Sequence, residues 1–335
     1  MIERRLRQVF SEAGCEGSVA ALGVDSENRV MFGDAEPMVA ASTFKIVVAL
    51  ELFCQGAEGM LDPTERVLLS PARATPGGQG FCIFEDVAEV SLRDAARMML
   101  TISDNTATDL LIRRVSLSRV HDRLGRLGLD RIRLAGTIQQ EFDAVGRDTG
   151  HAGWADMARA MSESVSPADA DRIWERALTS PSLRPGRITS ATAGQMAALL
   201  QLIWLDRAGP AAACRAVRTL LGQQRLTRKI ATGFGGEVRV AAKSGTLPGC
   251  ASNDVGGRGV PGRLPVRRGG VHPAGRTGPE NPAARLRPRC GGPTGGRTPS
   301  PAAPVPLKAG LTSSPAGRPG GAAAARACRP RRHHR

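Results

Sequence analysis

The chain has 335 residues, enough for one large domain or two ordinary ones. Its formal net charge of +15 is unevenly spread, because residues 256–335 contain 15 Arg, one Lys and one acidic residue, whereas residues 1–255 are neutral. All eight Phe and all three Trp precede residue 256. This distribution excludes a folded body that binds nucleic acid through its overall charge, and the lack of a run of about 20 apolar residues excludes a membrane-spanning helix.

In chain order, the first predicted elements are a helix over 2–13 and a β-hairpin with strands at 17–24 and 29–32. A long apolar helix is predicted over 43–55. Ser42 stands at its predicted N-cap, where a serine oxygen can accept hydrogen bonds from the free amides of the first turn.

Further helices are predicted from apolar residues that recur with helical spacing, and these are 91–100, 105–115, 117–127, 192–205 and 211–223. Ser91 and Asp94 begin the first of them in the manner of a capping box. The stretch 136–190 is predicted to be irregular with short helices, and 238–246 to be a strand. Strands at both ends of a helical middle indicate an α+β fold.

Three short motifs follow one another along the chain: Ser42-Thr-Phe-Lys45, Ser103-Asp-Asn105 and Lys243-Ser-Gly245. Each motif alone is typical of ordinary structure, because a capped helix with a solvated lysine, a capped turn and a strand end contain the same residues. Their joint occurrence at a helix start, an inter-helix loop and a strand is far more specific, and it predicts a serine nucleophile activated by lysine.

The spacing of the first motif explains this chemistry. Ser42 and Lys45 are three residues apart at a helix start, so their side chains share one face. A serine hydroxyl is a weak nucleophile until a base takes its proton, and a lysine close to other cations at low dielectric can lose its own proton and act as that base. The helix N-terminus also directs backbone N–H groups towards a developing oxyanion.

With these motifs, residues 1–255 resemble the class A β-lactamases and related penicillin-recognising serine hydrolases. The segments 17–25 and 29–32 resemble the family's first strands, 101–109 its middle motif, and 192–200 the helix after its Ω-loop. The resemblance implies an antiparallel sheet flanked by helices plus an all-helical subdomain. It also implies hydrolysis of a β-lactam, or of a related amide or ester, through an acyl-enzyme.

The resemblance implies three catalytic roles. Ser42 would attack the carbonyl, Lys45 would act as base or as partner to a base, and Ser103 would pass a proton to the leaving nitrogen. The residues implied to bind substrate are Asn105, Lys243, Ser244, Gly245 and Thr246. Among these, Asn105 would hold a side-chain amide, Lys243 and Ser244 a carboxylate, and the amide of Thr246 would form an oxyanion hole with that of Ser42.

One feature departs from the family. Class A enzymes carry a glutamate on the Ω-loop that activates the deacylating water, but alignment on Arg133-Leu134 places Ile138 at that position. Glu141 lies nearby, and it either replaces this base through a local shift or is an ordinary exposed loop carboxylate. Without such a base, acylation would proceed while deacylation is slow, as in a penicillin-binding esterase or peptidase.

The five histidines have no metal-ligand spacing and the seven cysteines form no CxxC pair, so we predict no metal and no cofactor. The N-terminus has a charged start but no apolar signal region, so the expected location is the cytoplasm. We expect a monomer that acts on a small molecule. An inactive penicillin-recognising remnant is the alternative.

Residues 256–335 contain 16 Gly, 14 Pro and no aromatic residue, a composition that predicts disorder. The family needs two more strands and a helix after the third motif, so the sheet is expected to be incomplete. We interpret this tail as the product of a frame change near residues 254–256, because codons for 266–272 moved by one base permit an apolar strand. The rival interpretation is a basic arm that binds nucleic acid, although the arm lacks aromatic residues for stacking.

Overall fold

The computed structural model describes residues 1–225, 229–234 and 238–259, and the backbone of 323–330. All of these residues belong to one compact unit, which comprises Met1–Arg263 and Arg318–Arg335. The second unit, Leu264–Gly317, lies outside the described residues.

The helices of the described part are α1 (Ile2–Glu12), α2 (Lys45–Ala57), α3 (Leu92–Thr101), α4 (Asn105–Val115), α5 (Leu117–Arg126), α6 (Ile138–Asp148), α7 (Trp154–Ser162), α8 (Pro167–Leu178), α9 (Ala193–Trp204) and α10 (Ala211–Leu221). The strands are β1 (Cys15–Leu22), β2 (Arg29–Phe32), β3 (Met38–Val39), β4 (Arg66–Leu69), β5 (Ala88–Ser91), β6 (Ser190–Ala191), β7 (Arg239–Leu247), β8 (Ala251–Gly259) and β9 (Ala323–Pro330). A 3-10 turn over Ala41–Phe44 directly precedes α2.

The main sheet has the strand order β2-β1-β9-β8-β7, and all its neighbours are antiparallel. Strands β7 and β8 pair along their whole length, with Ser244 opposite Asp254 and Gly245 opposite Asn253. Helix α9 packs against β1 and β8, and α10 packs against β7 and α2. This architecture confirms the predicted α+β fold, in which helices pack against an antiparallel sheet beside a helical subdomain.

Helix α2 is the centre of the core. Its residues from Lys45 to Leu52 are all buried, and it contacts α3, α4, α5 and α10. A helix that is apolar on nearly every side is typical of such an enclosed position. Because Lys45 is the first residue of this helix, the packing that buries α2 also carries a lysine into the interior.

The stretch predicted to be irregular contains three helices, α6 to α8. Thr137 and Gln140 form a capping box at the start of α6, and Ser166 caps α8 with Pro167 at the first helical position. These helices pack on one another around Val145, Met157 and Ala177, and the ring of Phe142 stacks on that of Trp154. The prediction of short helices was therefore correct, whereas the irregular character was wrong because these caps and this small core define regular elements.

The structure also differs from the expected tail. Strand β8 extends to Gly259, beyond the predicted boundary at residue 255, and the backbone of Ala323–Pro330 forms β9 between β1 and β8. The main sheet therefore contains the two strands that we expected it to lack, and in this respect the prediction of an incomplete sheet was wrong. The physical reason is that the facing edges of β1 and β8 present free backbone hydrogen-bonding groups, which a Gly-poor segment such as Ala323–Pro330 can pair with. The other tail residues lie outside the described part, so the frame change and the basic arm stay predictions.

None of the helices in the described ranges is both long and apolar enough to cross a bilayer.

We expect Ala325→Pro to destabilise the protein, because β9 has a partner strand on each side and proline cannot donate a ladder hydrogen bond. The thermal midpoint, followed by circular dichroism, should fall by roughly 5 °C or more. Ala325→Ser keeps the backbone N–H and should change the midpoint far less. Equal midpoints for the two variants would show that this segment is not an inner strand.

Candidate active site

Ser42 lies in the 3-10 turn that leads into α2, and its side chain is half-buried. The prediction that Ser42 caps the helix was wrong, because the α-helix begins only at Lys45 and Phe44 occupies the cap position. The residue before the serine, Ala41, has a φ of 45°, a left-handed conformation that is uncommon for a residue with a side chain. The serine hydroxyl is therefore not engaged in capping α2.

The Lys45 side chain points towards the second motif. Its Nζ donates to the Ser103 carbonyl oxygen at 2.7 Å, to Ser103 Oγ at 3.3 Å and to Asn105 Oδ1 at 2.8 Å. No hydrogen bond joins Lys45 to Ser42 Oγ in the described part of the chain. Hydrogen bonds to a nucleophile are often long in a free enzyme and shorten when substrate binds, so this geometry leaves Lys45 a candidate base.

Ser103 is the meeting point of two lysines. Lys243 Nζ donates to Ser103 Oγ at 3.1 Å and to the Ser244 carbonyl oxygen at 2.7 Å. Ser103 has a φ of 65°, and the next residue, Asp104, caps α4 by accepting from the amide of Ala107. This local backbone turns the Ser103 hydroxyl towards both ammonium groups.

Both lysines are fully buried. Burial and the neighbouring Lys243 hold the pKa of Lys45 well below its usual range, against the opposing effect of Asp104 and Asp109. Burial lowers the pKa of Lys243 to about 7, although Asp254 opposes this and Lys229 adds to it. A lysine with a lowered pKa can accept a proton near neutral pH, as a general base must.

The third motif lies directly against the 3-10 turn over Ala41–Phe44, which we call the nucleophile turn because it contains Ser42, the predicted nucleophile. A Cβ placed on Gly245 would lie 2.8 Å from Ser42 N and 3.1 Å from the Ala40 carbonyl oxygen, so only glycine permits this approach. The predicted oxyanion hole uses the amides of Ser42 and Thr246. Gly245 directly precedes Thr246, so its close approach to Ser42 N brings this part of the β7 backbone next to the Ser42 amide. Ser244 is buried, and its amide donates to Gln224 Oε1.

Asn105 is held at both ends of its side-chain amide. Its Oδ1 accepts from Lys45, and its Nδ2 donates to the Pro76 carbonyl oxygen at 2.7 Å. A Cβ on Gly77 would lie 3.3 Å from the same Nδ2. The loop at Gly77 therefore borders the side-chain amide of Asn105.

Glu141 lies in the first turn of α6, where its carboxylate accepts from both the amide and the hydroxyl of Thr189. Thr189 in turn accepts from the amide of Ala40 through its carbonyl oxygen at 3.0 Å. Ile138, which occupies the family's glutamate position in the alignment, is buried, and its amide donates to Asp109. Glu141 is thus linked through Thr189 to Ala40, two residues before Ser42, and no hydrogen bond joins it to Lys45 or to Ser42 within the described residues.

Several residues around the site were not predicted from the sequence. Lys229 Nζ donates to the Gly245 carbonyl oxygen, to Thr246 Oγ1 and to the Asn253 carbonyl oxygen at 2.9–3.0 Å. Asp254 accepts from the amide of Ile230, the residue after Lys229. No motif marks these residues, because Asp254 reaches the site through the pairing of β8 with β7, and Lys229 reaches it through hydrogen bonds to both strands.

The comparisons with known proteins agree with this fold. Residues 1–257 match the model of the Beta-lactamase enzyme family. The chain belongs to the beta-lactamase enzyme family. The curated protein "Beta-lactamase regulatory protein BlaB" of Streptomyces cacaoi is 23% identical over 257 residues, which cover 73% of this chain and 80% of that protein.

Solved structures of the beta-lactamase fold are similar as well. A β-lactamase from Sphaerobacter thermophilus has a TM-score of 0.59 and 23% identity, covering 77% of this chain and 83% of that one. An ancestral (GNCA) class A β-lactamase has a TM-score of 0.60 and 19% identity, covering 79% and 87%. A mutant of PBP-A in its acyl-enzyme complex with penicillin G has a TM-score of 0.59 and 17% identity, covering 78% and 82%. At these identities the likeness establishes the fold.

For this beta-lactamase family member, Glu141 provides a test of the site's electrostatics. Burial raises the pKa of Glu141 to about 7 from its ordinary 4.5, and the Thr189 hydrogen bonds only partly oppose this. The folded protein therefore holds the proton more tightly than the unfolded chain does, and stability is lost as pH rises from about 4.5 to about 7.

Gln cannot ionise, so Glu141→Gln should unfold in urea at the wild-type midpoint near pH 4 but be more stable near pH 8. The expected difference is on the order of 1–3 kcal/mol, since a tenfold change in an ionisation constant corresponds to about 1.4 kcal/mol. Glu163→Gln, at an exposed side chain, is the control. The same stability difference at both pH values would contradict the expectation.

Proposed function

We propose that this protein is a serine hydrolase that forms an acyl-enzyme at Ser42 with a β-lactam or a related amide or ester. The observation that carries the proposal is the position of the Ser103 hydroxyl, which lies within hydrogen-bond distance of both Lys45 and Lys243. The Ser42 amide, against Gly245, lies in the turn that leads into the helix bearing Lys45. These positions suit a nucleophile, a base and a proton relay.

In the proposed acylation, the substrate carbonyl oxygen accepts hydrogen bonds from the amides of Ser42 and Thr246, which stabilise negative charge as it develops. Ser42 Oγ attacks the carbonyl carbon and its proton passes to neutral Lys45. The bond from carbon to nitrogen then breaks, and the nitrogen receives a proton through the Ser103 hydroxyl. The proton lost by the serine is in this way returned to the leaving group.

The same proposal assigns the substrate contacts. Protonated Lys243, with Ser244, would attract a carboxylate on the substrate, since a buried ammonium interacts strongly with an anion at low dielectric. The free hydrogen of Asn105 Nδ2 would bind the carbonyl of the substrate's side-chain amide. The preferred substrate is therefore an anion with an amide side chain next to the scissile bond.

Release of the acyl group is the slower step in this proposal. Glu141 is the nearest sequence candidate for the base that activates water, but its carboxylate is engaged by Thr189. Both hydrogen bonds fall on Glu141 Oε1, and no hydrogen bond links this carboxylate to Ser42 or Lys45 among the described residues, so the proposal gives Glu141 no role in activating water. The acyl-enzyme would then persist, which suits a penicillin-binding protein better than an efficient β-lactamase.

This favours a second candidate function, a receptor that reports β-lactams by remaining acylated. The engaged carboxylate of Glu141 is the observation behind it, and the similar BlaB protein is described as a β-lactamase regulatory protein. Both candidates share the acylation of Ser42 and differ only in how long the ester lasts.

Intact mass spectrometry with penicillin G distinguishes them. We expect one covalent adduct, mapped by peptide analysis to Ser42, that persists long after free penicillin is removed. Ser42→Ala should form no adduct, and Lys45→Met should form it at least about 100-fold more slowly because the base is lost. Rapid disappearance of the adduct would indicate a β-lactamase. No adduct at Ser42 with penicillin G would refute the β-lactam receptor, and no adduct with a reactive ester substrate either would refute the hydrolase.

The pH profile of acylation tests the lysines. The rate should rise with pH as Lys45 loses its proton, and fall above about pH 7 as Lys243 loses the charge that attracts the carboxylate. In Lys243→Arg the falling limb should move to higher pH, because a guanidinium stays protonated. A neutral ester substrate without a carboxylate is the control and should show no falling limb. An unchanged falling limb in the arginine variant would contradict the role of Lys243.

A further inference from the structure

Asn253, on β8, lies beneath the nucleophile turn although no motif marks it. Its side-chain Nδ2 donates to the Val39 carbonyl oxygen at 2.7 Å and to the Ala40 carbonyl oxygen at 2.9 Å. These carbonyl groups belong to the two residues directly before Ala41, which in turn precedes Ser42. The side chain is buried, with 3% of its surface exposed, so solvent cannot replace these hydrogen bonds.

The turn that Asn253 holds is strained. Ala41 has a φ of 45°, where its Cβ crowds the backbone, and such conformations persist only when surrounding contacts determine them. Ala40 is also held by its amide, which donates to the Thr189 carbonyl oxygen, and by Thr43, whose hydroxyl and amide donate to the Ala40 carbonyl oxygen. Gly245 on β7 packs against this turn, and Asn253 adds side-chain hydrogen bonds from β8 of the same sheet.

General stability does not account for an asparagine at this position. With Nδ2 used on the two carbonyl groups, Asn253 Oδ1 is buried and has no hydrogen-bond partner within the described residues. A buried polar atom without a partner is unfavourable, and such exceptions in a native structure call for an explanation. The explanation is that Asn253 holds the turn directly before Ser42.

We infer that Asn253 is a positioning residue for Ser42. Its two hydrogen bonds hold Ala41 in the left-handed conformation, which places the Ser42 amide beside Gly245 and directs the hydroxyl towards the substrate. The inference rests on the proposed acylation of Ser42, and it predicts that the loss of Asn253 slows acylation without loss of the fold.

The test uses a second substitution that relieves the strain. Asn253→Ala should lower the second-order rate constant for acylation of Ser42 by a fluorescent penicillin by about 10- to 100-fold, because a misplaced reacting group is costly. Glycine adopts a positive φ without steric cost. Ala41→Gly in the Asn253→Ala background should therefore raise the rate constant at least about fivefold above that of Asn253→Ala alone. Ala41→Gly alone should change the rate by less than about threefold.

Gln55→Ala is the matched control. Gln55 is likewise a buried amide that donates to a backbone carbonyl group, that of Val115, but it lies near the C-terminal end of α2, whereas the turn precedes the N-terminal end. Its loss should leave the rate per folded molecule near that of the wild type. If Asn253→Ala does not fold, Asn253→Thr replaces it, because threonine suits a strand but is too short to reach both carbonyl groups.

Two results would overturn the inference: a double variant as slow as Asn253→Ala, or a Gln55→Ala protein as slow per folded molecule. Hydrogen exchange over residues 38–45 provides a readout that does not depend on acylation, and it should be faster in Asn253→Ala than in Gln55→Ala. If the wild type is not acylated but this exchange difference appears, the proposed function fails, whereas the conclusion that Asn253 holds the turn before Ser42 is supported. If neither appears, both are refuted.

Discussion

Two buried lysine side chains share one serine hydroxyl, and the rest of the structure depends on making this arrangement possible. Transfer of a charged ammonium group from water to the interior is strongly unfavourable unless acceptors and opposite charges surround it. Lys45 has three acceptors on Ser103 and Asn105, and Lys243 has Ser103 and the Ser244 carbonyl group. The part of this unfavourable energy that the contacts do not offset lowers the pKa values of Lys45 and Lys243. A lowered pKa is the property that allows a lysine to act as a base.

Three elements must meet for these contacts to form. Helix α2 brings Lys45, the loop before α4 brings Ser103, and strand β7 brings Lys243. Each is fixed by packing that has nothing to do with chemistry: α2 by its enclosure in the core, the loop by the Asp104 cap, and β7 by full pairing with β8. Rigid elements hold reacting groups more precisely than loops do, so the site gains accuracy from the core.

The nucleophile turn is held by contacts with the same sheet and with the segment before β6. It is joined through Thr189 to the segment that enters β6, through Asn253 to β8, and through the close approach of Gly245 to β7. Glu141 reaches this network only through Thr189, which explains why a carboxylate so near the turn has no direct contact with Ser42 among the described residues. Glu141 of α6 therefore affects the turn indirectly, through Thr189.

The sequence by itself determined the α+β fold, the family resemblance and the residues of the three motifs, because periodicity, caps and motif order are local properties. The positions of α1–α5, α9 and α10 and of strands β1, β2 and β7 follow from the same signals. The sequence did not predict the other six strands of the described part or define the bounds of α6–α8, because strand partners far along the chain and a small satellite core decide these elements. Only the tertiary structure decided that Ser42 lies before the helix instead of capping it, and that Glu141 binds Thr189. It also revealed Asn253 and Lys229, whose positions depend on strand pairing and on hydrogen bonds between residues distant in the sequence. Such contacts leave no periodic trace in the sequence, since each depends on the place where two separate elements meet.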